Sequence, residues 1–212
     1  MSQTDVRNRN IKLVIDSSIA LFRRYGLEAS TIELIAADCG LTMRSVYRYF
    51  ETKDDLVLAA TSAYWTKMYD TIDEIFKPVI EQDITGYEMF KIIVGSMYDV
   101  YIQTKDSMMM LQEMQSFLYK HGIKITDVAA KMGEFKPYHA PVLTALKKGM
   151  ADGTIRSDLD PVFTRNFAQN LMVGLMQKLT TVEADEQANS AFRPKEQLET
   201  MAGMLLDYVR TK

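Results

Sequence analysis

A glycine-centred pair of short helical patterns at residues 30–56 places the strongest constraint on how this chain can fold. Counting from Ile32, Ala36 is fifth, Gly40 ninth and Val46 fifteenth. A DNA-binding helix-turn-helix needs a small residue, a sharp turn and an apolar bridge at these positions. Ala36 lets the helices cross closely, Gly40 permits a left-handed turn, and Val46 packs back against the first helix of the pair. The residues expected to close the small core are Ile35, Cys39, Leu41 and Tyr49.

The rest of the chain also favours helices. Its 212 residues include only 10 Gly and 5 Pro, which leaves little room for the turns of an all-β fold. Apolar residues recur mostly at three- and four-residue spacing, as they do on one face of an α-helix. We therefore predict an all-α protein with a three-helix helix-turn-helix domain at residues 1–53 and a larger helical domain at residues 54–212.

Composition also bears on location. Cys39 is the single cysteine, which fits a reducing compartment, and its place in the helix-pair core favours a small buried residue over a redox sensor. No apolar run approaches the ~20 residues of a membrane span. The N-terminus MSQTDVRNRN lacks the apolar segment of a signal peptide. These features predict a cytoplasmic protein without a membrane partner.

The net charge of −3 conceals an asymmetry between the two parts of the chain. Residues 1–53 hold eight basic and six acidic side chains, a net charge of +2, whereas residues 54–212 hold seventeen and twenty-two, a net charge of −5. Phosphate groups attract positive charge, so only the N-terminal part suits a DNA-binding face.

Capping residues and glycines predict where the helices begin and end. A first amphipathic helix is expected from about Arg9 to Tyr25, ended by Gly26. Ser30 and Glu33 match the S-x-x-E capping box, which predicts the start of the second helix. Further helices are expected at residues 42–49 (capped by Thr42), 53 to at least 75 (capped by Thr52), 86–104, 107–120, 125–151 with a bend or break at Pro137 and Pro141, 161–182 and 195–210, with a polar loop at 184–194.

The third helix, TMRSVYRYF, carries the residues expected to contact DNA. With Val46 in the core, its outward-facing residues are Met43, Arg44, Tyr47 and Arg48. Arginine near the N-terminus of such a helix can bond guanine O6 and N7 in the major groove. Groups at helix starts can converge on phosphates, and the residues so placed are Thr31, Ser45, Thr52 and Lys53. The alternative is that they are ordinary caps and a solvated face.

Four short motifs follow one another between Thr31 and Leu56. They are Ile35-Ala36, Gly40-Leu41, Tyr47-Arg48-Tyr49-Phe50 and Lys53-Asp54-Asp55-Leu56. Together they resemble the N-terminal domain of the tetracycline-repressor-like (TetR) family of transcriptional regulators. The resemblance covers about the first 56 residues. Beyond them the chain is similar to the family only in length, helicity and the DGTIRSDLDP turn before two late helices.

The resemblance implies a homodimeric repressor that binds a palindromic double-stranded DNA operator. A small-molecule effector bound in the C-terminal domain would alter the separation of the two recognition helices and release the operator. The same resemblance assigns phosphate contacts to Thr31, Thr42, Tyr47 and Lys53, and base contacts to Met43 and Arg44. Met43 departs from the small or polar residues common at its position. No cofactor is implied.

Methionine and aromatic side chains are dense between residues 64 and 117. Flexible thioethers and flat rings suit an adaptable pocket for a small apolar or aromatic ligand, although they would equally serve as an ordinary core. The prediction of a pocket rests largely on the resemblance. The candidate ligand-binding residues are Trp65, Met68, Tyr69, Met97, Tyr98, Tyr101, Met110, Met114 and Phe117.

The two late helices, at about 161–182 and 195–210, have apolar faces. Two such helices from each of two chains can form an intermolecular four-helix bundle, and burial within one subunit is the alternative. The candidate dimer residues are Phe167, Leu171, Gly174, Leu175, Met201 and Leu205.

Nothing in the sequence indicates catalysis. His121 and His139 match no metal-ligand spacing, and there is no phosphate-binding loop or nucleophile motif. We predict no metal site, no cofactor and no enzyme. One alternative is a helical small-molecule-binding or catalytic protein whose N-terminal helix pair mediates protein contacts. Another is an activator, which would share all of these residues.

Overall fold

The structure, a computed structural model, describes residues 2–124, 126–127, 141–186 and 193–211. Within these ranges it consists of α-helices joined by turns, with one isolated antiparallel β-bridge between Ile155 and Arg210. The prediction of an all-α fold is confirmed. The helices are α1 (Gln3–Tyr25), α2 (Ile32–Asp38), α3 (Met43–Tyr47), α4 (Lys53–Ile80), α5 (Gly86–Gly95), α6 (Met97–Lys120), α7 (Pro141–Asp152), α8 (Pro161–Glu186) and α9 (Pro194–Val209).

Helix α1 begins earlier than its apolar pattern predicts. Ser2 accepts the Asp5 N–H at 3.1 Å, and the Asp5 carboxylate accepts the Ser2 N–H at 2.8 Å. This reciprocal cap starts the helix at Gln3, about two turns before Arg9. At the other end Gly26 has φ of +80° and donates its N–H to Phe22 O at 2.8 Å, as predicted for the terminating glycine.

The expected capping box of α2 is wrong. Ser30 is buried and donates its hydroxyl to Gly26 O at 2.7 Å, so its side chain closes the preceding turn. Thr31 is the N-cap instead, and its hydroxyl accepts the Leu34 N–H at 3.2 Å. Two consecutive hydroxyl residues made the position ambiguous in the sequence. The caps predicted for α3 and α4, Thr42 and Thr52, are confirmed.

The chain packs into two compact units. Unit 1 comprises Met1–Lys67 and Met110–Lys136, and unit 2 comprises Met68–Met109 and Pro137–Lys212. Helices α4 and α6 therefore contribute residues to both units. The predicted domain boundary at residue 53 stays a prediction. Large side chains that are fully buried include Phe22, Leu27, Ile35, Leu56, Leu111 and Met114 in unit 1, and Met89, Phe90, Ile93, Tyr101, Met108 and Leu146 in unit 2.

A close helix contact organises unit 2. Helix α5 packs mainly against α7, and α9 packs against α5 and α8. A Cβ added to Gly86 would lie 1.9 Å from the Gly149 backbone nitrogen, and one added to Gly149 would lie 2.6 Å from the Ile155 side chain. Glycine at residue 86 therefore allows α5 and α7 to approach this closely, and glycine at residue 149 leaves room for the Ile155 side chain that follows α7.

Several later helix boundaries differ from expectation. The helix predicted at 86–104 is interrupted at Ser96, and α6 then runs unbroken through residues 105 and 106. Helix α4 continues past Pro78 to Ile80. Helix α7 begins at Pro141, while most of the predicted segment before it, with Pro137 and His139, lies outside the described residues. Residues 187–192 of the expected polar loop also lie outside them. No described helix is long and apolar enough to cross a membrane.

Candidate nucleic-acid interface

The turn between α2 and α3 has the geometry that its spacing predicts. Gly40 has φ of +65°, and the N–H of Leu41 reaches back to Ala36 O at 2.9 Å. Ala36 and Val46 are buried, so a small residue and an apolar bridge hold the two helices together. The left-handed glycine lets the chain reverse within three residues of α2.

The small core around this turn is partly as expected. Ile35 is fully buried, and Cys39, Leu41 and Tyr49 are half-buried, while Phe50 takes the fully internal position after α3. The Cys39 thiol faces Leu13 O at 3.8 Å. Burial raises the pKa of that thiol, which keeps it protonated and weakly nucleophilic. Both observations favour a core residue over a redox sensor.

Helix α3 presents its predicted face to solvent. Met43 and Tyr47 are 43% and 45% exposed. Arg44 and Arg48 are also exposed. Ser45 is half-buried, with its hydroxyl oxygen 3.0 Å from that of Thr42. An exposed row of two cations, a phenol and a thioether on a short capped helix suits insertion into a groove.

Tyr49 connects α3 to α1 through its hydroxyl. The Asn10 side-chain amide donates to that oxygen at 3.1 Å, and the Arg48 guanidinium donates to it at 3.0 Å. These two hydrogen bonds lower the pKa of the Tyr49 phenol. The guanidinium groups of Arg48 and Arg7 lie 5.2 and 6.0 Å from the ring centroid. Arg7 and Asn10, not selected from the sequence, thus belong to the same surface, and Arg7 lies on α1 because the helix starts before Arg9.

The threonines at the helix starts differ in whether their hydroxyl groups accept or donate a hydrogen bond within the chain. Thr31 and Thr42 accept backbone N–H groups at 3.2 Å, from Leu34 and Ser45, so neither bond uses the hydroxyl proton. Thr52 donates its proton to the Asp55 carboxylate at 2.8 Å. Donation to a phosphate oxygen is therefore easier to arrange at Thr31 than at Thr52, and it is open to Thr42 when Ser45 is the donor in the contact between their hydroxyls.

Lys53 is already engaged with the chain. Its ammonium donates to Leu27 O at 2.6 Å and to Glu28 O at 3.1 Å, and it lies 5.7 Å from the Phe117 ring centroid. An ammonium has three N–H donors, so one remains for a phosphate. Lys53 therefore also anchors the α1–α2 loop, a role that sequence spacing did not indicate.

Helix α6 and the residue that follows it contact the α1–α2 loop and the start of α4 within unit 1. The Glu113 carboxylate accepts the Leu27 N–H at 3.1 Å, and His121 Nδ1 lies 2.8 Å from Asp54 Oδ1. The His121 ring stacks on Phe117 with centroids 4.0 Å apart. These partners are separated by more than sixty residues, and no local sequence signal pairs them.

The candidate ligand-binding residues fall in both units. Seven are buried, whereas Tyr69 and Tyr98 are half-buried. Burial raises the pKa of the Tyr69 phenol, and Gln169 donates to its oxygen at 3.5 Å. Unit 1 holds Trp65, Met110, Met114 and Phe117, and unit 2 holds Met68, Tyr69, Met97, Tyr98 and Tyr101. Among the residues that the structure describes, no group of His, Cys, Asp or Glu could hold a metal ion.

The candidate dimer residues divide by exposure. Phe167 and Leu171 are exposed on α8, and Gly174 continues that face, with Leu175 half-buried beside it. Met201 and Leu205 of α9 are buried inside their own chain. The exposed apolar residues of α9 are Met204 and Tyr208, which the sequence did not single out, and Phe163 extends the face on α8.

Comparisons with known proteins agree with this geometry. Residues 14–60 match the sequence model of a family described as bacterial regulatory proteins, tetR family. The chain is 28% identical over 125 residues to the uncharacterized HTH-type transcriptional regulator YerO of Bacillus subtilis (strain 168). That match covers 53% of this chain and 42% of YerO, so the chain spans less than half of that relative's length.

Two further similarities extend beyond the helix-turn-helix. The chain is 24% identical over 147 residues to the HTH-type transcriptional repressor KstR2 of Rhodococcus jostii (strain RHA1), which covers 69% of this chain and 68% of KstR2. The fold is similar to a structure described as a TetR-family transcriptional regulator from Mesorhizobium loti MAFF303099. That similarity has a TM-score of 0.64 at 17% identity and covers 98% of this chain and 96% of the other.

Proposed function

Because the chain belongs to the TetR family of bacterial regulatory proteins, we propose that it is a transcriptional repressor that binds a palindromic operator as a homodimer. The observation that carries the proposal is the exposed face of α3 and its C-cap. The side chains on this face are all exposed to solvent: Met43, Arg44, Tyr47 and Arg48. In this proposal α3 enters the major groove, and Thr31, Thr42 and Lys53 contact the flanking phosphates. Thr52 is a weaker candidate because its hydroxyl already donates to the Asp55 carboxylate, and Ser45 is weaker because its side chain is half-buried.

Phosphate contacts make the affinity depend on salt. Neutralising phosphates releases counterions, so the logarithm of the binding constant falls linearly with the logarithm of salt concentration. Arg7 and Arg48 on the Tyr49 ring supply further positive charge at this surface. In this proposal the protein acts in the cytoplasm, where it has access to chromosomal DNA. Its function requires no catalytic step.

The proposed dimer interface is an exposed apolar face on α8 and α9. It comprises Phe163, Phe167, Leu171, Gly174, Met204 and Tyr208, and is called the α8–α9 face below. The rings of Phe163 and Phe167 stack at 6.2 Å, and Tyr208 lies 6.3 Å from Phe167. A Cβ at Gly174 would meet nothing within 4 Å among the described residues of its own chain. Glycine lowers the stability of a helix, and no contact within the described part of the chain requires one at residue 174. Close approach by a helix of a partner subunit would account for it.

We further propose that a small, mainly apolar effector weakens operator binding. Helix α4 is continuous from Lys53 to Ile80, and it begins directly after the helix-turn-helix. The Glu113–Leu27 and His121–Asp54 contacts connect α6 to the same segment. A ligand that favours one position of α4 or α6 would therefore change the position of α3.

Selection from a pool of randomised DNA duplexes tests the proposal. The full chain should enrich an inverted repeat whose half-sites lie about one helical turn apart or slightly more. Tyr47→Ala should bind the selected duplex at least several-fold more weakly. Tyr119→Ala, the same change at an 85% exposed position on α6, should bind like the wild type.

Failure to enrich any repeat would contradict the proposal. It would favour the second candidate, a helical ligand-binding or catalytic protein whose N-terminal helix pair contacts another protein. If Tyr47→Ala and Tyr119→Ala lose DNA binding equally, the result would contradict α3 as the DNA-binding surface. Whether a confirmed DNA-binding protein represses or activates is then read from a reporter gene carrying the selected repeat.

A further inference from the structure

One buried threonine hydroxyl on α8 has no hydrogen-bond partner in the described part of the chain. Buried helical Thr and Ser residues ordinarily donate to the carbonyl four residues earlier, as Thr61, Thr104 and Thr180 do at 2.7 to 2.8 Å. Thr164 on α8 is 0% exposed, yet its hydroxyl has no partner among the described residues. A buried polar group without a hydrogen-bond partner lowers the free energy of unfolding by about 1–3 kcal/mol. The unpaired hydroxyl of Thr164 therefore needs an explanation.

The neighbouring polar residues are also incompletely paired. Arg165 has a buried Nε–H without a partner in the described chain, and its Nη1 donates to Gln169 Oε1 at a long 3.4 Å. Gln169 in turn donates to the Tyr69 hydroxyl at 3.5 Å, which connects α8 to α4. Both bonds lie at the outer limit of hydrogen-bond length.

Asp73 carries a further buried polar atom on the α4 side of this group. It lies one helical turn after Tyr69 on α4, as Arg165 lies one turn before Gln169 on α8. Its Oδ1 is buried and has no partner among the described residues. We call Tyr69, Asp73, Thr164, Arg165 and Gln169 the α4–α8 polar cluster. All five belong to unit 2.

The unpaired polar atoms and the charges of the cluster together indicate which chemical group it would bind. The Arg165 Nε–H requires an acceptor, and the Thr164 hydroxyl can donate to the same kind of atom. Arg165 and Asp73 carry opposite charges, so an uncharged ligand group leaves them balanced. A carboxylate or an ammonium would add a charge that the cluster does not compensate in a partly buried place.

We propose that the α4–α8 polar cluster binds the polar end of the effector, and that the effector is an uncharged, mainly apolar molecule with a ketone or hydroxyl oxygen. The inference rests on the proposed function, since it names the chemical class that the regulator recognises. The oxygen accepts from Arg165 and Thr164, and the apolar remainder contacts methionine and aromatic side chains.

A matched series of benzene derivatives tests this inference on the full chain. Dissociation constants are measured by ligand-observed NMR titration for acetophenone, benzyl alcohol, toluene, benzoate and benzylamine. Acetophenone or benzyl alcohol should bind about tenfold more tightly than toluene, benzoate and benzylamine, the difference that one buried hydrogen bond to a charged donor provides. Binding of none of the five, equal binding of toluene, or a preference for either charged compound would overturn the proposal.

Two variants and one control test whether Thr164 and Arg165 cause the preference for the oxygen-containing compounds. Thr164→Val and Arg165→Met should reduce the preference for acetophenone over toluene, so that the ratio of their dissociation constants approaches one. Thr180→Val, the same change on the same helix where the hydroxyl is paired, should leave the ratio unchanged. Thermal unfolding monitors folding, and Thr164→Val should unfold at the wild-type temperature or higher because it removes an unpaired hydroxyl. Loss of preference in Thr180→Val, or its retention in both other variants, would contradict the assignment.

Selection from randomised DNA duplexes separates the two proposals. A chain that enriches an inverted repeat but shows no preference for the oxygen compounds remains a DNA-binding regulator without this effector site. A chain that shows the preference but enriches no repeat has the ligand site and lacks the proposed function.

Discussion

Arg44 on α3 and Arg48 at its C-cap lie one helical turn apart, but their surroundings differ. Arg48 donates to the Tyr49 hydroxyl at 3.0 Å and stacks on its ring, so its guanidinium is held against the protein. The Arg44 guanidinium makes no hydrogen bond or ion pair with the described residues. The free guanidinium can extend to a base edge, whereas the held one suits a phosphate at a fixed position.

Replacing each arginine should therefore have a distinct effect on DNA binding. Arg44→Ala should relax base preference at one operator position by about 1–3 kcal/mol. Arg48→Ala should weaken binding of all sequences by a similar factor and reduce its salt dependence. Competition binding against duplexes substituted at each position distinguishes the two effects. An unchanged preference in Arg44→Ala would remove its assignment as a base-reading residue.

Glu88 gives the stability of the protein a dependence on acid pH. Its carboxylate accepts the N–H and the hydroxyl of Thr85 at 3.0 and 2.9 Å, and the backbone bond is the main reason that its pKa is lowered from 4.5. A lowered carboxyl pKa stabilises the folded state above the unfolded pKa, and this contribution is lost as pH falls through the folded pKa.

The prediction is that Glu88→Ala unfolds at lower urea concentration than the wild type at pH 7, and that the difference shrinks as pH falls below about 4.5. Glu74→Ala, a change on α4, controls for general loss of a carboxylate. A difference between Glu88→Ala and the wild type that is constant from pH 7 to pH 3 would show that the charged cap contributes nothing.

Helix α5 depends on Gly86 for its close contact with α7. In Gly86→Ala the added methyl group would overlap the Gly149 backbone, which has no flexible end that can move aside. We expect a loss of at least about 1–3 kcal/mol in the free energy of unfolding, as for other overpacked cores. Gly95→Ala on the same helix adds a methyl group that meets nothing within 4 Å among the described residues, and it should be neutral or slightly stabilising.

Urea unfolding of both variants, followed by far-ultraviolet circular dichroism, checks this expectation. Equal stability of Gly86→Ala and Gly95→Ala would mean that α5 and α7 can separate at little cost. The close approach of the two helices would then no longer explain the glycine at residue 86.

Local signals predicted the helix-turn-helix well. Ala36, Gly40 and Val46 act within one short segment, so their spacing specified the turn and its core. The family resemblance drawn from the same segment is confirmed by the match over residues 14–60. Capping was ambiguous where Ser30 and Thr31 competed, because both side chains can close a turn. The start of α1 depended on a two-residue cap that precedes any apolar periodicity.

Contacts between distant residues could not be predicted in the same way. The Glu113–Leu27 bond joins residues 86 positions apart, and the Gly86–Gly149 contact depends on how two helices cross. Sequence periodicity identified the late helices but did not separate inner from outer residues on α9, where Met201 is buried and Met204 is exposed. The unpaired state of Thr164 is likewise visible only in three dimensions.

The α8–α9 face bears on the assembly of the whole molecule. Phe167→Asp places a charge in this exposed apolar face and should shift the protein from dimer to monomer. The same variant should bind the selected palindrome more weakly, because each half-site is then bound separately. Sedimentation velocity at matched concentrations measures the first effect, and electrophoretic mobility shift measures the second.

Ile92→Asp is the matched control, because Ile92 on α5 has the same 41% exposure as Phe167. It should remain dimeric and bind the palindrome like the wild type. A wild-type protein that sediments as a monomer, or a dimer that persists in Phe167→Asp, would contradict the proposed interface.

The position of Trp65 has a spectroscopic consequence. It is the single tryptophan, it is 8% exposed, and it belongs to unit 1. Its emission should therefore be blue-shifted in the folded protein and move to longer wavelength when unit 1 opens. Circular dichroism, in contrast, averages over the helices of both units. Recording both signals during one denaturant titration shows whether the units unfold together, since coincident curves are expected only for one cooperative transition.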